Sequence, residues 1–378
     1  MHVPSLIRHF SRSIPRIALA ACAAAAVVPG LVHAQEEKVL NIYNWSDYVA
    51  EDTIANFEKE TGIKVRYDTY DNNEILHAKL VAGKTGYDIV VPSSTFARLQ
   101  IDGGLLMKLD KAQLPNLKNL DPDIQAQIAT IDPGNQYLVN WLWGYTTIGI
   151  NTAKVRAALG PEAMPANAWE LFFNPKYASR LKSCGISVLD SASEVLPAAL
   201  HYLGKDSFSK SSADYQEALA LLKSVRPYVT LFSSSGYINE MASGSICMAL
   251  GWNGDINIAR ARALEGKTGQ DVVALVPKTG GILFFDMMAI TADAPHPKNA
   301  MLFMNYIMRP EVHAALTNKV KYANPNKESR KFISPDVAGN PSVFPGSAEM
   351  AQMVPPKALS NDIRRLQTRT YTSFKTGL

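Results

Sequence analysis

The feature that most constrains the fold is an alternation of short apolar runs with amphipathic helical stretches, which continues along most of the chain. The apolar runs have the length of β-strands and are Val39–Asn44, Lys64–Tyr70, Tyr87–Val91, Gly185–Asp190, Ile246–Gly251, Val272–Val276 and Leu283–Ile290. The helical stretches include Glu51–Thr61, Ser212–Val225, Pro297–Met308 and Pro310–Lys319. Alternating strands and helices predict an α/β fold.

The length of the chain bears on its domain organisation. A chain of 378 residues is long for one ordinary core and suits two domains, or one large one. The sequence contains no internal repeat, low-complexity tract or disordered linker that would separate two domains. A chain that crosses between two lobes more than once would hide the boundary between them in this way.

The first 34 residues have the composition of a secretory signal peptide. Three arginines lie within Arg8–Arg16, and an apolar run of 12 residues follows over Ile17–Val28. The run is too short to span a bilayer, and small residues near its end predict cleavage after Ala34. A lipoprotein box that ends at Cys22 offers an alternative, in which this cysteine carries a lipid. We therefore expect an exported, periplasmic protein.

The charge balance disfavours nucleic acid as a partner. The formal net charge is +4, but the leader contributes three arginines and no acid, so the rest carries 35 basic and 34 acidic residues. A nearly neutral chain has no basic surface for a phosphate backbone. One basic series near the C-terminus, Arg364, Arg365, Arg369 and Lys375, is typical of a solvated helix face, with docking to a partner as the alternative.

Cleavage after Ala34 would leave two cysteines, Cys184 and Cys247. In an oxidising compartment, such a pair predicts one disulfide bond. Two buried free thiols are the alternative. The pair is not part of a metal-ligand motif, because the sequence contains no CxxC or HExxH spacing.

Motifs for cofactor binding and nucleophilic catalysis are missing from the sequence. Two Gly-Lys-Thr triplets lack the first glycine of a phosphate loop, and no G-x-S-x-G elbow is present. We therefore expect no cofactor, no metal site and no enzymatic activity.

Aromatic and acidic residues recur where several predicted strands end. The clusters are Trp45–Tyr48, Pro92–Phe96 and Trp252–Asp255, together with Phe284–Asp286 inside a strand. Ligands of open α/β sheets bind beyond the carboxyl ends of strands, so the recurrence predicts a ligand site there. Each cluster also has a structural interpretation, in which the tryptophan covers a core and the aspartate caps a helix. Asp47 could cap Glu51–Thr61 in this way.

The combination of aromatic rings with carboxylates indicates the kind of ligand. Carboxylates offset the desolvation of ammonium groups, and aromatic faces attract cations while they cover methylene groups. The clusters contain acids and no lysine, arginine or histidine. This composition is typical of a site for a polyvalent organic cation rather than for an anion or a sugar.

The chain resembles the periplasmic polyamine-binding proteins of ABC transporters, and within them the putrescine-binding branch. The likeness covers residues 38–378 and is carried by Asn41–Tyr48, Asp88–Ser93, Gly251–Asp255, Phe284–Asp286 and Lys321–Lys327. The family fold is a two-lobed clamshell of two α/β lobes joined by crossover strands, with the ligand in the cleft. The resemblance implies one lobe of residues 35–141 and 258–309, and another of residues 142–257 and 310–378.

The resemblance also implies which residues line the site. They are Trp45, Ser46, Asp47, Tyr48, Ser93, Glu194, Trp252, Asp255, Phe284, Asp286 and Tyr322. The disulfide of the family falls on Cys184 and Cys247. Two positions depart from the usual family pattern, namely Thr95 in place of serine and Ser191 in place of alanine, and both could retune the cleft.

These observations predict a periplasmic solute-binding protein that captures a linear polyamine and delivers it to an inner-membrane ABC permease. Its acids would hold the ammonium ends while its aromatic rings box the methylene groups. We expect a monomer that prefers a diamine such as putrescine, because Phe284 and Asp47 match the diamine branch. The alternatives are a binder that prefers spermidine, a polyamine sensor, and, from another class, a secreted hydrolase with paired carboxylates.

Overall fold

The structure is a computed structural model that describes residues 36–377. The predicted leader, with its cut after Ala34 and the alternative at Cys22, lies outside the described residues. Among the described residues, no helix combines the length and the apolar character needed to cross a bilayer.

The described residues contain nine strands in one sheet. They are β1 Val39–Trp45, β2 Lys64–Tyr70, β3 Ile89–Val90, β4 Val139–Asn151, β5 Ile186–Val188, β6 Leu231–Phe232, β7 Met248–Trp252, β8 Val272–Ala274 and β9 Ile282–Ile290. Their order across the sheet is β2-β1-β3-β9-β4-β7-β5-β6, and β8 pairs with β4 beside this path.

Helices cover the sheet. They are α1 Glu51–Thr61, α2 Asn73–Ala82, α3 Ser94–Asp102, α4 Pro122–Ala129, α5 Thr152–Leu159, α6 Glu170–Phe173, α7 Pro175–Leu181, α8 Ala192–Tyr202, α9 Ser212–Val225, α10 Tyr237–Ser243, α11 Asn253–Glu265, α12 Pro297–Ile307, α13 Pro310–Val320, α14 Pro335–Ala338, α15 Ser347–Met350 and α16 Asn361–Thr376. Five short 3-10 helices lie at Lys111–Gln113, Pro115–Asn119, Lys182–Cys184, Arg226–Tyr228 and Lys327–Phe332. The α/β prediction is confirmed.

The sheet has two parallel parts that define two lobes. In the first lobe, β1 runs parallel to β2 and β3, and α1, α2, α3 and α12 pack around them. In the second lobe, β5 runs parallel to β6 and β7, next to α8, α9, α10 and α16. The strands β4 and β9 join the lobes, because they pair with each other while β9 continues onto β3 and β4 onto β7.

The joining strand β4 was missing from the sequence prediction, although it is the longest strand, with 13 residues. All of its residues are buried, so it shows none of the apolar and polar alternation that marks a half-buried strand. The short strand β6 was missed as well. By contrast, the helices Glu51–Thr61 and Ser212–Val225 and the strand Lys64–Tyr70 are confirmed with the predicted bounds.

Two of the lobe boundaries expected from the sequence fall within secondary-structure elements. The expected boundary at residues 141 and 142 lies within β4, which is a joining strand. The expected boundary at residues 257 and 258 lies inside α11, and this helix packs against β4, β7 and β8.

Cys184 and Cys247 form a disulfide bond with their Cα atoms 5.4 Å apart, which confirms the expected pairing. Cys184 precedes β5 and Cys247 precedes β7, and these two strands are neighbours in the sheet. The bond therefore ties together the starts of two adjacent strands, far from their carboxyl ends.

We expect reduction of this bond to lower the stability of the protein without changing its ligand preference. The bridge closes a sequence separation of 63 residues, and the loop-entropy relation gives a loss of up to about 4 kcal/mol. Thermal unfolding before and after reduction measures the loss, and thiol titration of the denatured protein should find no free thiol before reduction and two after it. Two free thiols in the freshly exported protein would contradict the pairing.

Candidate functional site

A small cavity lies between the two lobes. Its walls come from residues that end or follow β1, β2, β3 and β7, together with the middle of β9. Ten of the eleven residues expected from the sequence line it: Trp45, Ser46, Tyr48, Ser93, Glu194, Trp252, Asp255, Phe284, Asp286 and Tyr322.

Asp286, in the middle of β9, contributes the first of three buried carboxylates. The Ser93 hydroxyl donates to its Oδ1 at 2.5 Å, and the Tyr48 hydroxyl donates to its Oδ2 at 2.8 Å. Ser93 precedes α3 and Tyr48 follows β1, so two loops of the first lobe converge on this carboxylate. Each oxygen has a second lone pair, so the group can accept further donors from a ligand.

Asp255, in the first turn of α11, is held in the same way. Tyr322 donates to its Oδ1 at 2.6 Å and Tyr237 donates to its Oδ2 at 3.0 Å. Each phenol oxygen in turn accepts a main-chain N–H, Tyr322 from Asp255 and Tyr237 from Trp252. Because these N–H groups occupy lone pairs of the phenol oxygens, the phenol hydrogens point toward the carboxylate.

Glu194, in the first turn of α8, supplies the third carboxylate. The Thr146 hydroxyl of β4 donates to its Oε2 at 2.5 Å. The position of a carboxylate in the first turn of a helix is favourable, because the free N–H groups of that turn carry partial positive charge.

Burial raises the pKa of all three carboxyl groups to about 7, because removal from water disfavours the charged form. The hydroxyl donors offset part of this effect, since they favour the charged form. Among the described residues that line the cavity, there is no lysine, arginine or histidine. The cavity therefore contains acidic groups that no cation of its own lining balances.

Aromatic rings form the remaining walls. Trp45 and Trp252 approach each other with ring centroids 5.7 Å apart and nearly perpendicular planes. Tyr48 and Tyr322 meet edge to face at 5.0 Å, and Phe284 lies 6.2 Å from Tyr322. These rings can cover methylene groups and also attract a cation through their faces.

The approach of Tyr322 to Asp255 depends on glycine at position 254. A Cβ atom added there would lie 2.2 Å from the Tyr322 ring, well inside van der Waals contact. A side chain at Gly254 would therefore displace the phenol that orients Asp255. The glycine within Gly251–Asp255 thus has a packing role that supports the site.

Asp47 is the one expected site residue that the structure does not bring into the cavity. Its carboxylate accepts a hydrogen bond from Arg262 of α11 at 2.6 Å. It does not cap α1 either, because the residue before that helix is Ala50. The aspartate turns away from its neighbours in Trp45–Tyr48 because its φ is 54°, in the left-handed region.

The cavity is also lined by five residues that were not predicted from the sequence, namely Tyr70, Asp71, Ser234, Ser235 and Ile238. Tyr70 and Asp71 stand at the end of β2, and the two serines shortly follow β6. The strand-end rule that selected Trp45 would have selected Tyr70 and Asp71 also. The serines had no such signal, because β6 has only two residues.

Among residues 36–377, no group of three or more histidine, cysteine, aspartate and glutamate side chains is arranged to hold a metal ion. The four acids of the lining, of which Glu194, Asp255 and Asp286 are buried, instead face a shared space with hydroxyl groups and aromatic rings around it. Such a lining can bind an organic cation by ion pairing and by contact with its carbon chain.

Comparisons with known proteins agree with this geometry. The profile of the bacterial extracellular solute-binding protein family matches residues 52–345. The putrescine-binding periplasmic protein SpuD of Pseudomonas aeruginosa is 44% identical over 372 residues, which cover 98% of this chain and 100% of that one. The putrescine-binding periplasmic protein PotF of Escherichia coli is 46% identical over 360 residues, 95% and 97% of the two chains.

A solved ABC transporter protein from Listeria monocytogenes has the same fold, with a TM-score of 0.80 and 29% identity over 90% of this chain and 99% of that chain. Two α/β lobes with a buried polar cavity between them define a ligand-binding protein of the two-lobed class. The chain belongs to the bacterial extracellular solute-binding protein family. The clamshell fold and the family resemblance expected from the sequence are confirmed.

We expect the cavity acids to make the ligand-free protein less stable as pH rises from about 4 to about 7. Carboxyl groups titrate near 4 in an unfolded chain and near 7 in this cavity, so the folded state binds more protons in that window. Urea unfolding across this range should show a decline that is reduced in the triple variant Glu194→Gln, Asp255→Asn, Asp286→Asn. Identical pH profiles for the two proteins would contradict the raised pKa values.

Proposed function

We propose that this protein is the periplasmic substrate-binding component of a polyamine ABC import system and that its ligand is putrescine. The observation that carries the proposal is the set of three buried carboxylates without a balancing cation in the described cavity lining. A ligand with two ammonium groups offsets two of these three charges. The names of the relatives in Pseudomonas and Escherichia support the same ligand.

The two aspartates are suited to the two ends of a diamine. Asp286 and Asp255 each accept two hydroxyl donors and keep free lone pairs for an ammonium group, which offers three donors. Their phenol partners Tyr48 and Tyr322 are in contact, so the two carboxylates face one short space. The four methylene groups between the ammonium ends would lie against the aromatic walls, while Glu194 adds negative charge.

Closure of the lobes completes this site. Trp45 of the first lobe meets Trp252 of the second, and the ion pair of Asp47 with Arg262 joins the same two lobes at the rim. Asp47 would thus act on closure rather than on the ligand itself. A permease that recognises only the closed form would receive the protein when it carries ligand.

We infer that residues 1–34 direct export to the periplasm, in agreement with the periplasmic relatives. We also infer that the protein binds its ligand without chemical change, since its family consists of solute-binding proteins. The hydrolase alternative would require turnover of a glycoside by two of the cavity acids. Incubation with candidate glycosides, alongside calorimetry with diamines, separates the two functions.

We expect Asp286→Asn to weaken putrescine binding by about 2–5 kcal/mol, the range for removing one partner of a buried charge pair. The variant should fold, and its ligand-free form should be at least as stable at pH 8 as the wild type, because it removes an unbalanced buried charge. Calorimetry and thermal unfolding measure the two effects.

The control is Asp132→Asn, which alters a buried aspartate outside the cavity. The carboxylate of Asp132 accepts main-chain N–H groups from Tyr137 and Leu138. It should lower stability and leave affinity unchanged, and unchanged affinity in Asp286→Asn would remove that residue from the site.

We expect putrescine to bind more tightly than spermidine. Asp255 and Asp286 can pair with the two ends of a short diamine, whereas the longer chain of spermidine would hold the lobes apart in an enclosed space, which is costly. Competition calorimetry on protein that was unfolded and refolded without ligand measures the ranking, with cadaverine and agmatine included. Tenfold tighter binding of spermidine, which corresponds to about 1.4 kcal/mol, would overturn the ranking but not the polyamine site.

A further inference from the structure

Two charged side chains cross between the lobes outside the lining of the cavity. Arg364 extends from α16 of the second lobe to the start of α3 in the first lobe. Glu74 extends in the opposite direction, from α2 of the first lobe to the start of α8 in the second. Both side chains line the same groove on the surface, beside the cavity.

The contacts of Arg364 are specific to the first lobe. Its guanidinium group donates to the main-chain oxygen of Thr95, and its central carbon lies 3.9 Å from the centroid of the Phe96 ring. Its Nε atom is buried and has no hydrogen-bond partner among the described residues. Burial lowers the pKa of Arg364 to about 10, with the charge of Glu74 acting in the opposite sense. The hydrogen bond and the ring contact that this buried guanidinium group makes are therefore both with the first lobe.

Glu74 makes the reciprocal contact. Its carboxylate accepts the hydroxyl of Ser191 at 3.3 and 3.4 Å and the main-chain N–H of Ser193 at 3.3 Å. Ser193 lies in the first turn of α8, where the N–H groups have no partner within the helix. A carboxylate at this position is favourable because the helix end carries partial positive charge.

Both contacts end one to three residues from the cavity. Ser193 is bonded directly to Glu194, one of the three cavity acids. Thr95 and Phe96 follow Ser93, whose hydroxyl group donates to Asp286. Any separation of the lobes that frees the ligand would therefore also separate Arg364 from α3 and Glu74 from α8.

We propose that Arg364 and Glu74 are positioning residues that hold the closed arrangement of the lobes around the ligand, without contact with the ligand itself. The inference rests on the proposed function, since it concerns release of the captured diamine. In an open form both side chains would be solvated, so their contacts act on the closed form alone. They therefore set how long the ligand stays bound, and they leave the rate of its capture almost unchanged.

The test measures putrescine association and release by stopped-flow tryptophan fluorescence in four proteins: wild type, Arg364→Gln, Glu74→Gln and the control Arg365→Gln. Arg365 lies on the same helix, with a side chain 72% exposed and paired to Asp362. We expect Arg364→Gln to release the ligand about 10-fold faster or more, the scale of a lost charged hydrogen bond. Glu74→Gln should release it about threefold faster because its bonds are longer. The control should match the wild type, and Arg364→Lys should fall between the wild type and Arg364→Gln.

Thermal unfolding separates this role from a structural one. The ligand-free Arg364→Gln protein should melt close to the wild type, while its ligand-bound form should melt at a lower temperature than bound wild type. Wild-type release rates in Arg364→Gln, or an equal loss of melting temperature with and without ligand, would overturn the inference. Failure of the proposed function would look different, because the wild type itself would then bind no diamine.

Discussion

Three carboxylates held out of water, without a cation from the described cavity lining to balance them, are the constraint on which the rest of the structure depends. In a closed cavity without a ligand, these groups take up protons near neutral pH. The hydroxyl groups of Ser93, Tyr48, Tyr322 and Tyr237 favour the charged forms but do not supply positive charge. A dication offsets two of the three charges, and ligand capture and lobe closure therefore favour one another.

The fold delivers this arrangement through strands that end at one place. The two parallel parts of the sheet direct their carboxyl ends at the cavity, and β4 and β9 join the lobes so that Asp286 stands where they meet. Close packing sets the direction of the donors. Tyr322 reaches Asp255 because Gly254 leaves room for its ring, and the main-chain N–H of Asp255 fixes the orientation of the phenol. Packing within the protein therefore orients the phenol that donates to Asp255.

Much of this could be predicted from the sequence, because the pattern is local. The strand-end clusters around Trp45 and Trp252 carry both residue types of the site within a few positions. The buried strand β4 could not be found in the same way, since it lacks the alternation that distinguishes one face from the other. Asp47 shows where a local pattern misleads. It belongs to a cluster whose other members line the cavity, but its backbone has a positive φ and its carboxylate pairs with Arg262 outside the cavity. The orientation of this side chain depends on Arg262, which is far away in the sequence, so no local pattern can predict it.

Near neutral pH and without ligand, the carboxyl groups of the closed cavity are about half protonated, and Asp255 and Asp286 become fully charged when a diamine pairs with them. Carbon-13 NMR of the side-chain carboxyl groups, with Glu194, Asp255 and Asp286 assigned through their amide variants, observes this directly. We expect three carboxyl signals that titrate near pH 7 in the ligand-free protein, and we expect those of Asp255 and Asp286 to shift to clearly lower pH with saturating putrescine. Ordinary titration near pH 4 in the ligand-free protein, or midpoints that putrescine does not move, would contradict it.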